Sequence, residues 1–393
     1  MKYAHQYLLS AIQIMHLYDG SMPLAAHLKK HFSENKKFGS KDRKNITHLC
    51  YCYCRIGNAG KLLPKEDQFK TALFLVNESA DGWDSMFDEK WLQQWSASIE
   101  TKFNFIKSVL PAFEPNLIFP CLNELSNKIE PTAFSNSHLV QPEVFLRIRP
   151  GKYEAVRKQL KAANIPFTEI SDTCFSFPQS VKIEEVITLD RDAVIQDRSS
   201  QGISKLISRV EVDKTKAIQL WDCCAASGGK TILAKDSLGV MDITVSDIRS
   251  SILHNLKSRF ERAGIKYFKS FTSDLSKKDA QKPTDKFDLI LADVPCSGSG
   301  TWGRTPEQLL FFTADKLNHY SQLQKSIAQN VLSSIAPNGY LLYSTCSVFK
   351  AENEDIVSFI LQLDSTLKIV EERYLQGYTL KADSMYAVLF QKA

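Results

Sequence analysis

Two short segments carry a cysteine where an apolar run passes into a polar loop: Asp293-Val-Pro-Cys296 and Ser344-Thr-Cys-Ser347. A third, Asp222-Cys-Cys-Ala-Ala-Ser-Gly-Gly-Lys-Thr231, supplies a turn of small residues, where backbone can approach a nucleotide-like group. Thiols suit covalent attack on an electrophilic carbon, provided that their surroundings favour the thiolate. A single cysteine at a strand end is usually a small buried apolar group. Two of them beside polar loops, downstream of a glycine turn, point instead to covalent chemistry.

The glycine turn excludes two familiar uses. A triphosphate-binding loop ending in Gly229-Lys230-Thr231 needs a glycine where Cys224 stands, and the spacing of a dinucleotide fingerprint is absent. What remains is a strand, a turn through Cys224, Ala225, Ala226, Ser227, Gly228 and Gly229, and a helix starting at Lys230. Free amides at that start can meet a carboxylate or a ribose. Asp247, about 20 positions on, is suited to accept from two ribose hydroxyls. Asp274, beyond the strand-like run Phe268 to Phe271, suits an adenine amine. Either carboxylate could equally cap a helix. S-adenosylmethionine fits this set, being a ribonucleoside with an amino-acid tail and no phosphate.

The elements that must carry these residues follow from the apolar pattern. Ile218–Asp222, Asp242–Asp247, Phe287–Asp293 and Tyr340–Ser344 read as strands alternating with helices, the third nearly continuous in apolar residues. That alternation predicts a mostly parallel, doubly wound α/β sheet that binds ligands at the carboxyl ends of its strands. Every segment singled out above falls at such an end. Upstream, Val144–Pro150, a helix over Tyr153–Ala163, Phe167–Ile170 and Cys174–Phe177 form a small β-α-β unit. The first third is helical, with a helix start at Ser40. The expected domains are residues 1–138, 139–190 and 191–393.

A chain of 393 residues exceeds one ordinary core. Its 44% hydrophobic and 24% charged residues are globular composition. No apolar run is long enough to span a bilayer, so no membrane partner is expected, and the start lacks a signal-peptide pattern. The nine cysteines lack paired metal-ligand spacing, so no metal is expected and all read as thiols in a reducing cytoplasm. The net charge of +5 is modest. Its distribution is uneven, with Lys29, Lys30, Lys36, Lys37, Lys41, Arg43 and Lys44 in one cluster. Arg147, Arg149, Lys152, Arg157, Lys158 and Lys161 form another. Either suits an RNA backbone or a merely solvated helix face.

Together these motifs resemble the Sun/RsmB family of RNA 5-methylcytosine methyltransferases. The resemblance is carried by Cys224–Thr231, by Asp293–Thr301 with Arg304-Thr-Pro-Glu307, and by Tyr343–Ser347 with Glu352-Asn-Glu354. Ile195-Gln-Asp197 with Ser199-Ser-Gln201 is similar to the family's segment before the cofactor loop, and Gly39–Arg43 with Arg55 resembles a NusB-like RNA-binding domain. Ser227, Val294 and Gly303 depart from the usual residues. The resemblance implies a Rossmann-like class I methyltransferase with a small β-α-β RNA-binding unit and an all-α N-terminal domain, acting as a monomer on ribosomal RNA. It assigns the attack on carbon 6 of cytosine to Cys346, base recognition to Asp293 and release to Cys296. Lys230 would favour the thiolate or orient the base. Alternatives are methylation of tRNA, of another nucleic acid or of an exocyclic amine, and a catalytically silent RNA-binding assembly factor.

Overall fold

A computed structural model describes residues 3–211, 213 and 215–393. The chain divides into two compact units. One comprises residues 1–123, 130–141 and 302–314; the other comprises 124–129, 142–301 and 315–393. Residues 142–301 pack as one body, and the stretch Trp302–Ala314, expected with the sheet, packs with the helical residues. Among the described residues no helix is long and apolar enough to cross a membrane.

The first unit is helical. Helices Ala4–Leu17, Leu24–Glu34, Ser40–Arg55, Lys65–Val76 and Ile99–Val109 surround one core. Ser40 starts its helix because the Asp42 carboxylate accepts from the Gly39 amide at 2.9 Å, filling one of the orphan donors of the first turn. Phe74 packs edge-on against Trp91 and Trp95, with centroids 5.0 and 5.2 Å away. The Trp302–Ala314 stretch joins through the Trp302 ring, 5.3 Å from Phe119, and through Glu307, whose Oε1 accepts from the Leu24 amide at 3.0 Å.

The second unit holds two sheets. The smaller comprises β1 (Val144–Ile148), β2 (Thr168–Ser171), β3 (Cys174–Phe177) and β4 (Ala193–Ile195), ordered β2-β3-β1-β4. Its pairings are antiparallel, and the helix Tyr153–Ala162 buries Val156 and Leu160 in the same core as Leu146, Ile148, Phe175 and Phe177.

The larger sheet adds β5 (Ile218–Asp222), β6 (Met241–Asp247), β7 (Lys269–Thr272), β8 (Phe287–Asp293), β9 (Ile335–Thr345), β10 (Leu367–Leu375) and β11 (Met385–Lys392). Its order is β10-β11-β9-β8-β5-β6-β7. Strands β9, β8, β5, β6 and β7 run parallel, while β11 and β10 are antiparallel additions. Side chains alternate between two buried faces. Leu220, Leu289, Leu291 and Leu342 face the helices Gly229–Leu238 and Ser250–Arg262. Trp221, Ile290, Leu341 and Tyr343 face Ala314–Leu332 and Glu354–Leu363. Chain order reverses between β5 and β8, and there a doubly wound sheet opens a crevice at its carboxyl edge.

Candidate active site

The glycine turn follows β5 and is held by its own backbone. The Gly228 amide donates to the Ala225 carbonyl at 2.8 Å, and Ala226 and Gly228 take left-handed φ values of 46° and 80°. A side chain at Gly228 would strike Phe260, because its Cβ would lie 2.5 Å from that ring, so glycine serves both the turn and the close helix packing. Thr231 ties the following helix back to β5, its Oγ1 donating to Asp222 Oδ2 at 2.5 Å. Asp222 is fully buried with Oδ1 unpartnered, and desolvation pushes its carboxyl up to about 7.

Beside this turn lies a cleft of about 510 Å³. It is lined by Cys224, Ala226, Asp247, Asp274, Asp293 and Cys296, with Arg249, Tyr320 and apolar side chains including Leu275 and Ile327. Asp247 Oδ2 accepts from the Ala226 amide at 2.9 Å and its Oδ1 pairs with Arg249 at 3.2 Å. Asp274 is held by Ser276, whose hydroxyl donates at 2.6 Å. That hydrogen bond holds the Asp274 carboxyl below the usual carboxylate range.

The sequence-selected turn residues divide into two groups. Cys224 and Ala226 reach the cleft, whereas Ala225 belongs to the apolar core and Gly228 to the packing against Phe260. Ser227 is turned toward Arg259, accepting at 2.8 Å on its hydroxyl, and Arg259 in turn pairs with Asp190. Gly229 opens the helix, and Lys230 beside it reaches Asp293 instead of lining the cleft.

At the next strands the geometry tightens. β8 and β9 are in register with Asp293 opposite Ser344. Asp293 Oδ2 accepts from Lys230 Nζ at 2.6 Å and Oδ1 from Ser344 Oγ at 2.9 Å. Burial alone would lower the lysine, but Asp293 and the Cys346 thiol together hold it above its ordinary value. Cys296 and Cys346 follow these strand ends, both partly exposed. Burial, then the Asp293 charge, pushes the Cys346 thiol up to about 12, and the opposing effect of Lys230 is smaller. Lys230 thus acts on the Cys346 thiol in the expected direction, and burial and Asp293 outweigh it. Burial followed by the Cys346 charge also raises Cys296.

The second basic cluster is not a free cationic surface. Arg147 is buried, donating to Asp236 at 2.6 Å and to Gln196 at 2.7 Å, and Arg149 shares Asp236 at 2.8 Å. Arg157 pairs with Glu169, and Lys152 lies 3.5 Å from Asp192. Only Lys158 and Lys161 of that cluster are exposed. By contrast Lys29, Lys30, Lys36, Lys37, Lys41, Arg43 and Lys44 are all exposed on the helical unit. Arg55 is buried and donates to the His138 carbonyl at 2.8 Å. Cys50, Cys52 and Cys54 are buried in the same core.

A doubly wound sheet whose carboxyl edge carries a small-residue turn and an acidic cleft defines a Rossmann-like class I methyltransferase fold. Its cofactor is S-adenosylmethionine, and the lining suits a cationic, phosphate-free nucleoside: Asp247, Asp274 and Asp293 outnumber Arg249. The 16S rRNA methyltransferase RsmB/F family model matches residues 211–391. Ribosomal RNA small subunit methyltransferase B of Xanthomonas campestris pv. campestris is 28% identical over 172 residues, 44% of this chain and 38% of that protein. The chain spans half or less of the length of such curated relatives. The crystal structure of PH0851 superposes with a TM-score of 0.69 at 18% identity, covering 99% of this chain and 98% of that one. NSun6 from Pyrococcus horikoshii with SFG superposes at 0.57 and 15% identity, covering 69% and 96%. The domain at residues 211–391 belongs to the Sun/RsmB family.

Proposed function

We propose that this protein methylates carbon 5 of a cytosine in ribosomal RNA, with Cys346 as transient nucleophile and Cys296 assisting release. The observation carrying this reading is the Asp293–Ser344 register, which sets two partly exposed cysteines just beyond adjacent strand ends, around one carboxylate. S-adenosylmethionine supplies an electrophilic methyl group on its sulfonium. Cys224, Ala226, Asp247 and Asp274 would hold it, with Ala225, Ser227, Gly228 and Gly229 shaping the turn.

Carbon 5 of cytosine is a poor nucleophile until a thiolate adds to carbon 6. In the proposed sequence Cys346 passes its proton to Asp293 and the Sγ–carbon 6 bond forms as the ring double bond opens, while Asp293 delivers that proton to ring N3 and accepts from the exocyclic amine. Carbon 5 then takes the methyl group, the carbon-5 proton leaves with the help of Cys296, and the Sγ–carbon 6 bond breaks to return the Cys346 thiolate. The raised Cys346 thiol fits a nucleophile that stays protonated until the base and its hydrogen bonds arrive. A base must leave its stack to reach such a cleft, which favours unpaired RNA. The exposed lysines of the helical unit would grip the backbone, as in a NusB-like domain, and a monomer acting in the cytoplasm suffices. Bisulfite sequencing of small-subunit ribosomal RNA incubated with the protein and S-adenosylmethionine tests this. A newly protected cytosine, lost with Cys346→Ala, supports the reading; no protected cytosine contradicts it.

A further inference from the structure

The Cys296 and Cys346 loops meet on a buried side chain that the proposed chemistry does not use. Glu352 is wholly inaccessible, and its four donors are neutral. Its Oε1 accepts from the Ser297 amide at 2.7 Å and from Gln324 Nε2 at 3.2 Å. Its Oε2 accepts from the hydroxyls of Ser297 and Ser347, each at 2.5 Å. Ser297 follows Cys296 and Ser347 follows Cys346. Gln324 also donates to the Pro295 carbonyl at 3.0 Å, so Cys296 is bracketed on both sides. The backbone adds a second tie: the Gly300 amide donates to the Cys346 carbonyl at 2.8 Å.

We infer that Glu352 is the positioning residue that sets Cys296 against Cys346, so that release of the methylated base depends on its carboxylate. The inference rests on the covalent reading above. A buried carboxylate without a cation costs several kcal/mol unless its lone pairs are filled, and here four hydrogen bonds fill them. Oε1 must accept, because the Ser297 amide and the Gln324 NH₂ converge on it, and Oε2 meets two hydroxyls whose own oxygens already accept from the Ser299 and Phe349 amides. Glutamine has one acceptor oxygen, and its NH₂ would confront a donor. The Ser297 segment leaving Cys296 would then shift, while Cys346 stays anchored by β9, which ends one residue before it.

The test compares Glu352→Gln with wild type and with Cys296→Ala, measuring turnover and denaturant-stable protein–RNA adduct in the same reaction. Turnover should fall roughly tenfold while adduct per turnover rises at least about fivefold, as release slows more than attachment. Loss of packing alone would lower both together. Ser297→Ala, which deletes one of the hydroxyls, should move the same ratio by about threefold and serves if Glu352→Gln does not fold. An unchanged adduct-to-turnover ratio in the folded variant overturns the inference while Cys296→Ala still traps. No adduct with Cys296→Ala overturns the covalent reading itself, and this inference with it.

Discussion

Lys230 and Asp293 are joined by a 2.6 Å ion pair although one lies in the first turn of a helix and the other ends a strand 63 residues later. The pair links the cofactor turn to the proposed base-binding carboxylate. It also fixes the electrostatics at Cys346, because Asp293 raises that thiol while Lys230 lowers it. Removing the carboxylate therefore has opposite effects on thiol reactivity and on catalysis.

In Asp293→Asn the raising charge is gone and Lys230 is left facing the thiol. The Cys346 thiol should fall from about 12, and alkylation by iodoacetamide at pH 8 should accelerate about three- to tenfold. Methylation should drop by roughly a hundredfold or more, since the base loses its partner. Peptide mass mapping of the alkylated protein reads the first effect; slower alkylation at Cys346 would contradict it.

Asp222 gives a pH-dependent stability. Its folded carboxyl lies near 7, above the ordinary carboxylate value, so the folded state holds a proton that the unfolded chain releases. The resulting stability is full below about pH 4 and is lost as pH rises towards 7. Asp222→Asn removes that loss while keeping an oxygen for the Thr231 hydroxyl. Urea unfolding at pH 8 should show the variant more stable by on the order of 1–3 kcal/mol, with the advantage gone near pH 4.

Gly228→Ala should destabilise the second unit by about 2 kcal/mol, because φ of 80° disfavours a side chain and Phe260 occupies its space. Binding of S-adenosylmethionine, measured by calorimetry, should weaken with it, as the turn cannot keep Ala226 at the cleft edge.

The two basic clusters should separate cleanly. Replacing Lys36, Lys37 and Lys41 by glutamine leaves the fold intact and should reduce the log–log salt slope of RNA binding by about 2. Arg147→Ala breaks a buried pair and should cost about 3 kcal/mol of stability in urea melts, with little change in that slope. A reduced slope for Arg147→Ala instead would return that cluster to the RNA surface.

The contrast between these clusters shows what was legible in the sequence. Strands buried on both faces announce themselves as apolar runs: Ile218–Asp222 and Phe287–Asp293 are strands with the expected bounds, and Cys174–Phe177 likewise. β10 was not foreseen, because Glu371-Glu372-Arg373 breaks the apolar pattern on an edge strand whose polar residues face ion pairs. β4 spans only Ala193–Ile195, too short for any period. The cysteines and Asp293 could be chosen from type and spacing, since their chemistry is local. Glu352 stands in the sequence as one residue of the Glu352-Asn-Glu354 motif. Its role depends on Ser297, Gln324 and Ser347 arriving from three elements, which a linear pattern does not encode. The same holds for Arg147, whose partner Asp236 lies 89 positions away.

The most direct test of the covalent mechanism is to incubate Cys296→Ala with RNA and S-adenosylmethionine, denature the mixture and map any cross-linked peptide by mass. The account predicts a denaturant-stable adduct on Cys346 that is absent from the Cys296→Ala/Cys346→Ala double variant. Attachment at any other residue, or continued methylation by Cys346→Ala, would contradict it.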